Sequence, residues 1–417
     1  MKTSTTLHSR SPQDRAHLRQ DAGLIGLVGL GHMTSHFSQL LLAPLFPWLK
    51  DALHVGYAEL GFLMTVFFAV SCMVQFVSGF VVDRIGPRPI LFGGLALIGL
   101  AAFGFSVSTS YWMMAGFSVL AGLGNGIFHP VDYTLLNRKV SAARLGHAYS
   151  VHGITGSLGW ALAPALLVPL TLAFSWRVAL ACAGVLIFSV LAVLLFNRDR
   201  LALEVAPPVP GAAQAAGGTM GFLRVPAIWM CFAFFFFYAM ALSVVQAFAP
   251  AAARSLHGIP VALVAMCLTA YMVASACGMV AGGFMVSDPN RCERIVGIGF
   301  GLAAVMALVL GYGGFASAAD VAVPALFGAM GFATGIAGPS RDLLVKRSTP
   351  ENSTGRVYGV VYSGLDIGQA ISPLIFGSLM DQHQYRGVFL GLAVVQGVLI
   401  VSAFNVRRVR RTSLAAA

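Results

Sequence analysis

The sequence predicts an all-α integral membrane protein with twelve transmembrane helices in two pseudo-symmetric six-helix bundles. Three observations carry this prediction: the apolar composition, the recurrence of apolar runs of spanning length, and one polar break near the middle of the chain. Of the 417 residues, 58% are hydrophobic and only 10% are charged, whereas soluble domains usually carry about 25% charged residues. A spanning helix needs roughly 20 mostly apolar residues, and such runs recur along almost the whole chain.

Twelve apolar runs are expected to cross the membrane. They cover residues 22–48, 57–80, 89–108, 112–136, 146–170, 176–196, 227–252, 260–286, 294–315, 320–345, 355–379 and 386–405. The first run is longer than the apolar core of a signal peptide, which spans roughly 7 to 15 residues. It is therefore interpreted as a retained helix.

A segment rich in Pro, Gly and charge follows the sixth run and is typical of a linker between two bundles. The predicted organisation is a cytoplasmic N-terminal tail (1–20), an N-terminal bundle (21–196), a cytoplasmic linker (197–225), a C-terminal bundle (226–406) and a basic cytoplasmic tail (407–417). An internal repeat supports it, because a displacement of 209 residues aligns Pro130 with Pro339 and Gly159 with Gly368. Helices 4 and 5 thus recur as helices 10 and 11.

The distribution of positive charge predicts the orientation. Of the 26 Lys and Arg, 21 fall in the tails and the even-numbered loops and only 4 in the odd-numbered loops. This asymmetry places both termini in the cytoplasm of a protein that crosses the bilayer many times. Contact with anionic lipid explains the net charge of +11 better than a nucleic-acid partner does.

Several other classes of protein are disfavoured. The six cysteines include no CxxC pair, so neither a disulfide framework nor a thiolate metal site is indicated. No phosphate-binding loop of the GxxxxGK[ST] type occurs, so no nucleotide cofactor is expected and gradients must drive any movement. No residue constellation demands an enzyme, and a membrane sensor would be expected to carry an additional signalling domain.

The stretch GFVVDRIGPRP at 79–89 lies between predicted helices 2 and 3. It resembles the motif G-x-x-x-D-R-x-G-R-R of the major facilitator superfamily of transporters, with Pro87 in place of a basic residue. The matching positions are Gly79, Asp83, Arg84, Gly86 and Arg88. The resemblance implies two bundles that alternate access to a site between them.

Physical arguments support a gating role for this motif. The glycine at position 79 is expected to let helices approach closely, and Asp83 with the arginines can hold a cytoplasmic gate shut through charge pairs. The alternative is that the arginines only fix the topology.

Within the superfamily, three segments are similar to the fosmidomycin-resistance branch of drug exporters. They are HMTSHFSQLLLAPLFPWLK (32–50), GNGIFHP (124–130) and GSLGWALAP (156–164). This resemblance implies outward movement of the solute. This chain has His36 where the branch carries an acidic residue.

Ionisable side chains inside spanning helices are costly and usually face a bundle interior or a water-filled cavity. The candidates for the substrate and proton pathway are His32, His36, His129, Asp132, His152, Arg341, Asp342 and Asp366. Further candidates for the cavity lining are Gln39, Asn125, Tyr149, Tyr238, Gln246 and Tyr358. We expect these residues to meet between the bundles.

The roles of these candidates follow from their chemistry. Histidine changes charge near neutral pH and suits proton coupling, and a buried carboxyl such as Asp366 can carry a proton. Arg341 presents a planar fork suited to a carboxylate or phosphonate. The competing interpretations are imidazoles that only tie helices together and an arginine held in an internal salt bridge.

The residues and the resemblance therefore predict a monomeric, proton-coupled secondary transporter that moves a small organic solute, expected to be anionic, across the inner membrane of a bacterium. The alternative is a transporter of a transition metal or its chelate, because His32, His36 and His129 offer imidazole ligands. No resident cofactor is expected.

Overall fold

The computed structural model describes residues 12–141, 144–203, 226–285, 292–348 and 354–415. Within these ranges it gives no side-chain description for residues 12–16, 80, 83, 146, 227, 284, 292, 316, 341–348, 354–361 and 403–415. The described residues contain helices and no strand, as the fold class predicted.

The first group of helices, called the N-terminal group, comprises α1 to α8. They are α1 (Pro12–Gln39), α2 (Phe46–Leu53), α3 (Tyr57–Ile85), α4 (Pro87–Val107), α5 (Tyr111–Asn125), α6 (Phe128–Lys139), α7 (Leu145–Ala173) and α8 (Trp176–Phe196). A 3₁₀ turn at Ala43–Leu45 precedes α2.

The second group, called the C-terminal group, comprises α9 to α15. They are α9 (Pro226–Ala247), α10 (Ala249–His257), α11 (Val261–Met285), α12 (Cys292–Tyr312), α13 (Ala319–Ser348), α14 (Thr354–Asp381) and α15 (Tyr385–Ala415). A 3₁₀ turn at Ala316–Ala318 precedes α13.

Nine helices in the described part of the chain are long and apolar enough to cross a membrane, namely α3, α4, α7, α8, α9, α11, α12, α13 and α15. Three predicted runs are not continuous helices: 22–48, 112–136 and 227–252. Each is divided into two helices, with the second beginning at Phe46, Phe128 and Ala249 respectively. Pro47 and Pro250, in the first turns of α2 and α10, explain two of these divisions, because proline suits a helix start and cannot continue the preceding hydrogen-bond ladder.

The division between α5 and α6 is held in place by α3. A Cβ atom at Gly126 would lie 2.3 Å from the carbonyl oxygen of Ser71, so only glycine allows α3 to approach this closely. The Ser78 hydroxyl donates to the carbonyl oxygen of Gly126 at 3.3 Å and thus satisfies a backbone group near the break. The break precedes Asp132 and His129 by less than two turns of α6.

The helix order defines two ends of the bundle. We call the end of the bundle where α3 and α6 finish the basic face. We call the other end, which carries α2 and α10, the opposite face. On the basic face, the Asp21 carboxylate accepts from the Arg144 side chain at 2.7 Å. Lys139 Nζ donates to the carbonyl oxygens of Arg200 and Ala202, each at 2.7 Å. The first bond joins α1 to the start of α7, and the other two join the end of α6 to the segment that follows α8.

The two groups meet along α3 with α14 and along α7 with α11. At the opposite face, Asp381 at the end of α14 receives hydrogen bonds from the backbone N–H groups of Tyr57 at 2.6 Å and Ala58 at 2.8 Å. Deeper along the same contact, Thr65 Oγ1 donates to the Ala370 carbonyl at 2.6 Å. We call the Asp381 contact with the first turn of α3 the Asp381 cap, and it joins the two groups at this end.

Candidate functional site

A buried carboxylate lies at the centre of the candidate site. Asp132 is fully buried, and its Oδ2 lies 3.1 Å from His32 Nδ1 and 3.1 Å from His152 Nε2. The rings of His32 and His152 stack with their centroids 3.5 Å apart. With His36 and His129, whose rings lie 4.3 Å and 5.5 Å from that of His32, these residues form what we call the histidine–aspartate cluster.

Three helices assemble this cluster from simple spacings. On α1, His32 and His36 are four residues apart and share one helix face. On α6, His129 and Asp132 are three residues apart and also share a face. Since α7 supplies His152, the cluster lies entirely within the N-terminal group.

Glycine lets α7 come close to the two imidazoles of α1. A Cβ atom at Gly156 would lie 2.9 Å from His36 Nδ1 and 3.0 Å from His32 Nε2. At Gly159, one turn further along, it would lie 2.2 Å from the carbonyl oxygen of Met33. These two glycines therefore allow α7 to pack directly against α1 beside the cluster.

The hydrogen bonds specify where protons can reside. When Asp132 is ionised its carboxylate oxygens only accept, so in that state His32 donates through Nδ1 and His152 through Nε2. His32 Nε2 is then free of a proton whenever that ring is neutral. Among the described residues, Asp132 Oδ1 and His36 Nδ1 have no hydrogen-bond partner. Because two stacked imidazolium rings repel each other, the cluster is suited to gaining and losing one proton at a time.

The predicted lining residues on α1 and α5 have structural partners. Gln39 Oε1 accepts from Trp160 Nε1 at 2.9 Å, and the Trp160 ring lies 4.2 Å from that of His36. Asn125 accepts from Ser35 at 2.8 Å and donates to Ser71 at 2.9 Å. These two amides brace the helices around the cluster.

One residue that sequence reasoning missed connects the cluster to the C-terminal group. Gln75 on α3 has its Oε1 3.1 Å from His129 Nδ1, and its Nε2 donates to Asp366 Oδ2 at 3.3 Å. The structure therefore brings the predicted Asp366 to the cluster through Gln75. The available signal was a single amide in the apolar run between residues 60 and 77.

Three further lining candidates have partners outside the histidine–aspartate cluster. Tyr149 is exposed by 39% and bonds to Asn137. Gln246 is buried and accepts from Gln369 at 3.3 Å. Tyr238 packs beside Phe300. The side chains of Arg341, Asp342 and Tyr358 lie outside the described residues.

The predicted gating motif surrounds the turn between α3 and α4. Gly86 alone links the two helices, and its φ of 84° lies in a region that strongly favours glycine. Arg84 is exposed and Arg88 is half-buried, while the Asp83 side chain lies outside the description. Among the described residues, no atom of another helix lies within 4 Å of a Cβ atom placed at Gly79, and the close helix approach there stays a prediction.

In two groups of described side chains, nitrogen or oxygen atoms that can bind a metal ion lie close together. They are His32, His36 and His129, and His32, Asp132 and His152, with one such atom per residue within 4.8 Å of the others. In the second group, the hydrogen bonds to Asp132 account for the short distances. Imidazole and carboxylate ligands suit zinc, copper or nickel.

Replacing Gly156 with alanine is expected to reduce any transport that depends on the cluster by about tenfold, because the new methyl group displaces the rings of His32 and His36. Initial rates in proteoliposomes measure this effect. Gly153→Ala on the same helix is the matched control, since a Cβ atom there meets only Met279 Cε at 4.0 Å. Equal rates for the two variants would show that the ring positions do not matter.

Three relatives found by sequence comparison match different shares of this chain. It is 29% identical over 44% of its length to the membrane sensor protein UhpC of Salmonella typhimurium, of which the match covers 41%. It is 26% identical over 36% of its length to the fosmidomycin resistance protein of Escherichia coli, again covering 36% of that protein. The match with the hexuronate transporter of Bacillus subtilis is 21% identical and covers 89% of this chain and 92% of the transporter.

The fold and the family agree with the motif found in the sequence. The structure is similar to the inward-facing crystal structure of a bacterial homologue of the human lysosomal transporter Spinster, with a TM-score of 0.73 and 13% identity over 96% of this chain and 98% of that one. The sequence profile of the Major Facilitator Superfamily matches residues 28–330 and again residues 257–416. The resemblance inferred from the residues is confirmed, and this multi-pass membrane protein belongs to the Major Facilitator Superfamily.

Proposed function

We propose that this protein is a proton-coupled secondary transporter that moves a small organic anion by alternating access and works outward. The observation that carries the proton coupling is the histidine–aspartate cluster. It places one carboxylate and several imidazoles in a buried position, where ionisable groups are retained mainly for function. Both termini are proposed to be cytoplasmic and the protein to act as a monomer.

The link to the C-terminal group supports a coupled mechanism. Alternating access moves the two groups relative to each other, and the hydrogen bond from Gln75 to Asp366 crosses that boundary. Gln75 also contacts His129 within the N-terminal group. A change of protonation on either side of the boundary therefore changes the hydrogen bonds between the groups. Such a contact can bias one conformation over the other.

Two features support an anionic solute. The hexuronate transporter and a galacturonate transporter of Dickeya chrysanthemi, 24% identical over 39% of this chain, are named for sugar acids. Of the arginines within predicted spanning runs, Arg341 in the sequence GPSRD lies furthest from the end of its run, and its guanidinium suits a carboxylate or phosphonate. Similarity to the fosmidomycin resistance protein supports export.

The sensor and metal alternatives make different predictions. The similarity to UhpC supports the alternative that the protein is a sensor, which binds its solute without transporting it. The short distances among His32, His36 and His129 support the alternative of a transition-metal cargo. The relatives named above, however, are named for organic molecules, drugs or a sensing role. Binding and flux measurements separate these cases.

The experiment is thermal unfolding of the purified protein with D-galacturonate, fosmidomycin and zinc ions added separately, because a ligand of the folded state raises its stability. We expect at least one of the two anions to raise the unfolding temperature, and Arg341→Gln to remove the effect. Arg254→Gln, at an exposed residue of α10, is the matched control. Stabilisation by zinc alone that requires His32 and His36 would overturn the proposal.

Flux decides between transport and sensing. Proteoliposomes loaded with the stabilising anion are expected to release it faster when a pH gradient is imposed. Binding of the anion without any flux under either direction of the gradient would instead identify a sensor.

A further inference from the structure

The side-chain amide of Gln75 bridges two ionisable residues from different parts of the bundle. Its Oε1 lies 3.1 Å from His129 Nδ1 on α6, and its Nε2 lies 3.3 Å from Asp366 Oδ2 on α14. A primary amide has one accepting end and one donating end. The partner at one end of the amide therefore determines whether its oxygen or its nitrogen faces the partner at the other end.

The present arrangement fixes the proton on His129. Gln75 Nε2 donates to the Asp366 carboxylate, so Oε1 is the atom that faces His129. Because Oε1 can only accept, His129 must present a proton on Nδ1. An ionised Asp366 is thereby linked to one particular tautomer of His129.

Protonation of Asp366 on Oδ2 reverses both bonds. The carboxyl group becomes the donor, and the Gln75 amide must turn by about 180° to accept from it. Gln75 Nε2 then faces His129 Nδ1, which must accept. The neutral ring exchanges its proton on Nδ1 for one on Nε2, so the only net change is the proton gained by Asp366.

We propose that Gln75 is a positioning residue that makes the protonation of Asp366 in the C-terminal group and the proton position on His129 in the N-terminal group depend on each other. This inference deepens the proposed proton coupling and rests on it. It gives the two groups a shared hydrogen-bond state even though the cluster itself lies in the N-terminal group alone.

Other titratable groups surround the bridge and contribute to any pH dependence. Those that face His129 or Asp366 are His32 and His36 of α1, Cys72 of α3, Asp132 and Tyr133 of α6, His152 of α7 and Tyr362 of α14. None of these replaces the direct bonds that Gln75 makes to both partners. The test must therefore separate the effect of Gln75 from charge effects through space.

The Trp160 indole supplies an optical signal that requires no solute. Its ring lies 4.2 Å from that of His36, so an imidazolium in the cluster should quench its emission. The pH dependence of the fluorescence difference between the protein and its Trp160→Phe variant reports titration of the cluster. The measurement is made in detergent across about pH 5 to 9, the range in which histidines commonly titrate.

The decisive comparison is a double-mutant cycle between Asp366→Asn and Gln75→Leu. We expect Asp366→Asn to move the fluorescence midpoint by about half a pH unit when Gln75 is present. In the Gln75→Leu background the same substitution should move it by less than half as much. Gln382→Leu, at an exposed position, is the matched control and should leave the full shift.

Gln75→Met is the second variant, since it keeps the length of the side chain without its amide and serves if the leucine variant is not folded. Equal shifts with and without the amide would overturn the inference, as would a Trp160 signal that does not change with pH. Because no solute is involved, this result is independent of whether the protein transports an organic anion. A wrong cargo and a wrong role for Gln75 are thereby distinguished.

Discussion

Asp132→Asn is expected to lower proton-driven transport at least 100-fold. Asp132 supplies the carboxylate on which His32 and His152 converge, and it is fully buried. Removing one partner of a buried charge pair costs about 3 kcal/mol or more, and a loss of that size in the driven step corresponds to about 100-fold in rate. The asparagine amide keeps the volume but cannot balance an imidazolium.

The measurement for Asp132 is the initial rate of anion flux in proteoliposomes under an imposed pH gradient. Asp51→Asn is the matched control, because Asp51 is an exposed carboxylate on α2 and should give the rate of the unmodified protein. Circular dichroism and thermal unfolding establish that both variants are folded. If Asp132→Asn were folded and retained the full rate, the cluster would have no part in coupling.

Asp381→Ala is expected to open the end of the bundle at the opposite face. The Asp381 cap joins α14 to α3 through two hydrogen bonds from backbone N–H groups, at 2.6 Å and 2.8 Å. Hydrogen bonds to charged groups contribute about 1.5 to 3 kcal/mol each. Loss of both should shift the balance between closed and open states by at least tenfold.

Accessibility of a single thiol measures this opening. In a protein whose six native cysteines are replaced by serine, Thr65→Cys places a thiol within the contact between α3 and α14, where Thr65 bonds to Ala370. A membrane-impermeant maleimide is expected to label it at least about three times faster when Asp381 is alanine. Asp51→Ala is the control, and equal labelling in both backgrounds would show that the Asp381 cap does not hold this end closed.

Much of the fold followed from the sequence because lipid imposes length and apolarity on every spanning helix. The positions of the helix divisions did not follow from hydropathy. Pro44, Pro47 and Pro250 start new helices inside runs that stay apolar, so an average over the run conceals them. The division at Gly126 depends on the close approach of α3, which is a property of packing and not of the local sequence.

The histidine–aspartate cluster was partly predictable for a similar reason. Helical spacing placed His32 with His36 and His129 with Asp132, but the rotation of α1, α6 and α7 about their own axes decides which atoms meet. Gln75 was missed because an amide carries no charge and an inventory of ionisable groups passes over it. Its importance comes from two partners that lie 54 and 291 residues away in the chain.

The most direct test of proton coupling is the movement of protons that accompanies the anion. Proteoliposomes containing a trapped pH indicator and the purified protein are given the stabilising anion on one side only, with no pH gradient at the start. Proton-coupled transport predicts a change of internal pH that follows anion flux and is absent in Asp132→Asn. Anion flux at the full rate with no change of internal pH would contradict it.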